Sequence, residues 1–270
     1  MSATTASASP AETEQVVLVE HLAGGVSRIT FNRPHKRNAM NRAARVGIVR
    51  ALDECRGRSK VIVMTGNGSA FCAGVDLKEG DVSTGDAELD RRSEWAAVQE
   101  EIRNHPAVVI AAVNGTALGG GSTLINVADL AIAAHEAQIG MPEIGFGLYP
   151  TLAGPAAQLR LKPKHAAWLV LTAERIDGTT AAEWGLVNLA VPLEELDAAV
   201  TALAERVASF DATALEWSKK ALWKIPGEIS QWTEAIAYGH EIADELRGRS
   251  TALAEGLDRF RSGERNPGQG

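Results

Sequence analysis

Three consecutive glycines, Gly119-Gly120-Gly121, stand shortly after the apolar run Ala107 to Val113. That run reads as a strand covered on both faces. Leu124 to Leu130, beyond the glycines, reads as helix. Glycines between a strand and a helix strip side chains from backbone N–H groups at the positive end of that helix. Such a place holds an anion, or an oxygen that becomes one. A second glycine-centred turn, Phe71-Cys72-Ala73-Gly74-Val75-Asp76-Leu77, follows another apolar strand, Lys60 to Thr65. Two backbone donors facing one point would make an oxyanion hole.

The rest of the pattern is α/β. Val16 to Glu20 and Val26 to Phe31 read as a hairpin joined through Ala23-Gly24-Gly25. Asn41 is placed to cap a helix running to Cys55. Residues 78 to 92 read as a mobile loop entering a helix, and Glu94 to Asn104 as a helix. Leu130 to Ala134 and Ala137 to Gly140 are short strand candidates, and Pro142 to Pro155 is a long irregular segment. Beyond it the pattern is mostly helical: 156–161, 163–173, 179–185, 193–209, 211–223, 228–246 and 249–261. Strand–helix alternation followed by helices implies a mostly parallel sheet with a helical C-terminal part. No internal repeat is visible.

Several function classes are excluded. The net charge of −7 offers no basic patch for nucleic acid. No apolar run approaches the ~18 residues of a membrane span. Residues 1–14 lack both the basic start of a signal peptide and the arginines of a mitochondrial presequence, so a cytoplasmic location is expected. Two cysteines, Cys55 and Cys72, make no disulfide framework, and Cys72 reads as a buried filler rather than a nucleophile. The six histidines lack metal-ligand spacing, so no metal is expected. No dinucleotide fingerprint, P-loop or nucleophile elbow is present.

Six segments in order resemble the crotonase superfamily, the enoyl-CoA hydratase/isomerase family. They are Asn32-Arg33-Pro34 with Asn38-Ala39-Met40; Phe71 to Lys78; Asn114-Gly115 through Gly121; Pro142-Glu143-Ile144; Gly178 to Val191; and Glu255-Gly256-Leu257 with Phe260. The resemblance implies a crotonase-like ββα spiral core over 15–199, between a disordered tail at 1–14 and a helical oligomerisation region over 200–262, with a short tail at 263–270. It implies an acyl-CoA thioester as substrate, no cofactor beyond the coenzyme A that the substrate carries, and a homotrimer or a dimer of trimers. The N–H groups of Val75 and Gly120 would grip the thioester oxygen, with Gly121 beside them. Ala73, Asp76, Leu77 and Lys78 would border coenzyme A, Lys36 and Arg37 would meet its phosphates, and Phe260 would pack near its nucleotide end.

One position departs from the family pattern. Family hydratases of the common kind use two carboxylates, and the first falls here on Thr123. A threonine hydroxyl cannot shuttle a proton near neutral pH. Glu143 is then the acid/base group, with a pKa raised in a pocket walled by Met141, Ile144, Phe146 and Leu148. A single carboxylate here resembles two subgroups. One is the hydroxycinnamoyl-CoA hydratase-lyases, in which a C-terminal tyrosine, here Tyr238 (His240 lies about as close), holds a phenol. The other is the enoyl-CoA isomerases. Trp95, Tyr149 and Trp232 are candidates for an aromatic acyl pocket, with plain core packing as the competing reading. A binding protein without catalysis, or a thioester hydrolase, are the other readings left open.

Overall fold

The computed structural model of the protein describes residues 15–78 and 82–264. The expected tail at 1–14, and most of the one at 263–270, lie outside the described residues.

The hairpin forms as expected. β1 (Val17–His21) pairs antiparallel with β2 (Val26–Phe31), Val17 opposite Phe31. α1 (Arg42–Cys55) starts where Asn41 caps it, its Oδ1 accepting from the Ala44 N–H at 2.9 Å. Four further strands extend the sheet in parallel beside β2, in the order β3 (Val61–Gly66), β5 (Val108–Val113), β7 (Leu130–Ala134) and β9 (Leu189–Val191). A second, three-stranded parallel sheet consists of β4 (Ala70–Cys72), β6 (Thr116–Leu118) and β8 (Ile139–Gly140).

These two sheets correct the absence of a repeat. β3 leads into β4, β5 into β6 and β7 into β8, so three successive passes each give one strand to each sheet. The repeat is one of path, not of sequence. Strands of two or three residues are also too short to show a periodicity of two.

Both faces of the large sheet are covered, which explains its unbroken apolar strands. Side chains alternate along β3: Ile62 and Met64 join the core under α1 and α3 (Trp95–Asn104). Val61 and Val63 face α8 (Leu193–Ala208), whose Leu196, Val200, Ala204 and Ala208 form a stripe at spacing four. The expected boundary at 199/200 thus falls inside α8. Leu203, Val207 and Leu215 also pack on this core.

The remaining helices are α2 (Ala87–Arg92), α4 (Gly120–Val127), α5 (Ala153–Arg160), α6 (Pro163–Thr172), α7 (Gly178–Glu183), α9 (Ala212–Glu228), α10 (Trp232–Arg249) and α11 (Ala252–Arg261). α4 begins within the glycine triplet, not at Leu124, because its first turn is made of the glycines themselves. α9 is pinned by Lys219, a buried lysine. Its Nζ donates to the Ile102 and Ala107 carbonyls and pairs with Asp129 at 2.9 Å. None of the helices among the described residues is long and apolar enough to cross a membrane.

Candidate active site

Each glycine turn follows a strand of the small sheet rather than one of the large sheet. Parallel pairing of β4 with β6 therefore sets the two turns side by side. The first turn is followed by the 73–78 loop, not directly by a helix as its counterpart is. A Cβ on Gly74 would lie 2.9 Å from the Leu118 carbonyl oxygen and 3.4 Å from the Gly120 nitrogen. Gly74 also sits at φ +97°, where a side chain is strained.

The first loop is held from behind. The Met40 N–H donates to the Gly74 carbonyl at 2.8 Å, and the Asp76 N–H donates to the Met40 carbonyl at 3.1 Å. In a parallel bridge of this kind, the residue between the bonded flanks turns its own N–H and C=O the other way. That residue is Val75. Arg33 Nη1 donates to the Ala39 carbonyl and, at 3.1 Å, to Asp76 Oδ2, both side chains being buried. Asn38 Nδ2 donates to the Asn67 and Ala70 carbonyls. Burial works to raise the Asp76 pKa, but the Lys78 N–H and the Arg33 guanidinium outweigh it and hold it below the usual value. Sequence reasoning singled out the 32–40 segment without this buttressing role, whose partners are distant in the chain.

The second turn is a helix start. Gly119 donates its N–H to the Gly140 carbonyl at 2.9 Å, and Gly120 is the first residue of α4. The first N–H groups of a helix have no partner within it. Among the described residues, neither the Val75 nor the Gly120 N–H enters a hydrogen bond. Trp95 covers this corner; a Cβ on Gly120 would lie 3.1 Å from its ring.

Glu143 reaches the same place from a short 3-10 segment, Pro142–Phe146, just beyond β8. A Cβ on Gly119 would lie 2.6 Å from Glu143 Oε1. Oε2 is buried with no hydrogen-bond partner. Burial pushes the Glu143 pKa above its ordinary 4.5, opposed only by its own N–H. Of the expected walls, Met141 is buried, whereas Ile144, Phe146 and Leu148 are 42%, 66% and 60% exposed. The short 3-10 turn carries those three outward.

Other expected residues divide. Thr123 is fully buried, and its hydroxyl donates back to the Gly119 carbonyl at 3.2 Å, so it is spent within α4. Gly121 has a packing reason, since a Cβ there would meet the Cys72 carbonyl at 2.0 Å. Asp76 turns inward to Arg33 rather than to the rim. Lys36, Arg37, Leu77 and Lys78 are exposed around the first loop, where the Ala73 N–H donates to the Arg37 carbonyl. Burial pushes the Cys72 thiol up to about 12, which leaves no thiolate to act as nucleophile. Tyr149 is half exposed, its hydroxyl accepting from Gln158. Tyr238 on α10 lies under Lys224 of α9, Trp232 is 79% exposed, and Phe260 on α11 is 57% exposed. Among the described residues, no hydrogen bond, ion pair or ring contact joins any of these three to Glu143.

The sequence matches the enoyl-CoA hydratase/isomerase family over residues 21–260. It is 34% identical over 237 residues to a probable enoyl-CoA hydratase of Rhodobacter capsulatus, covering 87% of this chain and 91% of that protein. It is also 34% identical to a hydroxycinnamoyl-CoA hydratase-lyase of Pseudomonas fluorescens, covering 87% and 89%. Among solved structures, an enoyl-CoA hydratase of Mycobacterium smegmatis superposes with a TM-score of 0.83 at 27% identity, over 92% of this chain and 97% of that one. A match running through both glycine turns, the glutamate segment and the C-terminal helices establishes that this chain is a crotonase-fold member of the enoyl-CoA hydratase/isomerase family.

Proposed function

We propose that the chain hydrates an enoyl thioester of coenzyme A, with Glu143 as its acid/base group. The observation that carries this reading is the Glu143 carboxyl against Gly119, with a partnerless buried oxygen, one residue from the free Gly120 amide. The thioester oxygen sits between the Val75 and Gly120 N–H groups, whose hydrogen bonds strengthen as the oxygen becomes an enolate. One such donor is worth ~3 to 4 kcal/mol in a transition state. Glu143 takes a proton from water as the water oxygen bonds to the β-carbon. The enolate then collapses, and Glu143, now protonated, delivers that proton to the α-carbon, which returns the carboxylate to its starting state. The exposed Lys36, Arg37 and Lys78 suit the phosphates of coenzyme A. With an aryl substrate, the β-hydroxy product can undergo retro-aldol cleavage, and the hydroxycinnamoyl-CoA hydratase-lyase among the relatives lends that extension support.

A second reading is double-bond isomerisation. Thr123 being tied to Gly119 leaves Glu143 as the acid/base side chain among the described residues of the site, and isomerisation needs one base to remove a proton and return it elsewhere. Absorbance assays with crotonyl-CoA, feruloyl-CoA and a 3-enoyl-CoA separate the readings. Glu143→Gln should lower turnover of the preferred substrate at least ~100-fold. A rate within a few-fold of wild type would remove Glu143 from the mechanism. Binding without turnover across the panel would indicate an inert thioester binder, and release of free thiol a hydrolase.

A further inference from the structure

Trp95 brings an unpaired polar group to the Gly120 corner. It opens α3, is 7% exposed and packs into the main core. The edge of its ring that meets Gly120 is the edge carrying the nitrogen: a Cβ on Gly120 would lie 3.1 Å from both Cζ2 and Nε1, and 3.2 Å from Cε2. A buried indole N–H normally finds a hydrogen-bond partner. This one donates to no group among the described residues, and its nitrogen is not sealed from solvent. Gly120 is half-buried, so the indole N–H opens beside the amide that grips the thioester.

The ring is held in place from behind. Arg42 on α1 donates to the Asp90 carbonyl and the Ser93 hydroxyl and pairs with Glu94 at 2.9 Å, which ties down the residues leading into Trp95. The Gln99 amide donates to the Trp95 carbonyl. A donor fixed before its ligand arrives costs little to engage.

Bond geometry limits what this donor serves. A Cβ stands about 2.5 Å from its own backbone nitrogen, so Nε1 is no more than about 5.6 Å from the Gly120 nitrogen. The thioester oxygen has two lone pairs, and the Val75 and Gly120 N–H groups take both. The indole is left for a second oxygen nearby. The β-carbon of the acyl group is two bonds from the thioester carbon, and an oxygen on it falls within the same few ångströms.

We propose that the Trp95 N–H holds the oxygen on the β-carbon: the water before addition and the hydroxyl after it. This rests on the acyl-thioester reading above and adds a water-holding residue to it. An indole N–H donates and never accepts. It engages one lone pair of the water, and the other lone pair forms the bond to the β-carbon as Glu143 takes the proton. The same contact favours acyl chains with an oxygen at that carbon over plain ones.

The test keeps an aromatic ring and removes the donor: Trp95→Phe. In the Glu143→Gln protein, where turnover is slowed, titration calorimetry compares butyryl-CoA with the two enantiomers of 3-hydroxybutyryl-CoA. One enantiomer should bind about three- to tenfold tighter than butyryl-CoA, the scale of a neutral hydrogen bond. Adding Trp95→Phe should bring that ratio to about one and leave the butyryl-CoA affinity within about twofold, which also reports an intact fold. In the otherwise unaltered enzyme, Trp95→Phe should lower kcat for crotonyl-CoA about tenfold with KM little changed. A ratio of one before Trp95 is changed would overturn the proposal, as would a ratio or a kcat that survives Trp95→Phe. Equal loss of affinity for butyryl-CoA and the hydroxy thioester would overturn it too, and would assign the ring to packing. A wild-type protein inert towards every enoyl-CoA, with the Trp95-dependent ratio intact, would refute the hydration reading and leave this contact standing; failure to bind any of these thioesters would remove both.

Discussion

At the scale of single residues, local chemistry was readable and partnership was not. Asn41 as a cap follows from residue type and neighbours, whereas Glu143 was singled out by the family resemblance. That Asp76 faces Arg33, or that Thr123 bonds Gly119, depends on which groups the fold brings within 3.2 Å. His105 is a further case. It is buried, with Nε2 against the Leu52 carbonyl and Nδ1 accepting the Ala107 N–H, so the neutral ring fits both contacts. Burial, aided by the Arg56 and Lys219 charges, lowers its pKa from 6.5 to about 4. The unfolded chain therefore takes up this proton first as pH falls. The resulting stability is fully present above pH 6.5 and is lost progressively down to about pH 4. The loss is on the order of 2–3 kcal/mol. Urea titrations from pH 7 to pH 4 should show it, and His105→Gln should flatten the profile; an unchanged slope would exonerate His105.

At the scale of elements, long strands and amphipathic helices were legible, and of the small sheet only β8 was, inside the Ala137 to Gly140 candidate. β4, β6 and β8 are stabilised by pairing across distant parts of the chain, which no local window reports. The start of α4 was misplaced because glycine reads as loop, whereas here its missing side chain lets the helix lean on β4. Gly121→Ala should cost about 1–3 kcal/mol or more, since the intruding atom meets backbone and not a flexible side chain. A melting temperature equal to wild type would show that α4 can retreat without penalty. α9 offers a second test through its buried lysine. Burial lowers the Lys219 pKa against the opposing pull of Asp129, and its removal leaves a buried carboxylate short of its cation. Lys219→Met should destabilise by about 3–5 kcal/mol, and adding Asp129→Asn should restore part of that. A purely additive double mutant would argue against the pair.

At the scale of the whole molecule, the α/β class and the helical ending were legible in the pattern of residues, and the spiral core came only through the family resemblance. The C-terminal helices carry apolar side chains that a single chain leaves uncovered: Leu222, Trp232, Ile236, Leu253 and Phe260 are 46–79% exposed. A cavity of about 1000 Å³ lies among α8–α11, lined in part by Leu215, Leu246 and Leu253. Exposed apolar area on this scale marks a protein contact, and closed rings are the common solution for identical chains. We expect a trimer or a dimer of trimers, to be checked by sedimentation equilibrium; a monomer at micromolar concentration would refute it.

The position of α8 late in the chain has a consequence for biosynthesis. Until residues 189–208 leave the ribosome, β7 is a bare edge, and Val63, Ile110 and Ile132 face water. A nascent chain in that state presents the open, greasy template on which misassembly begins. Stalled or truncated products ending before β9 should therefore be the species most dependent on chaperones, and full-length chains should escape that dependence as soon as α8 docks.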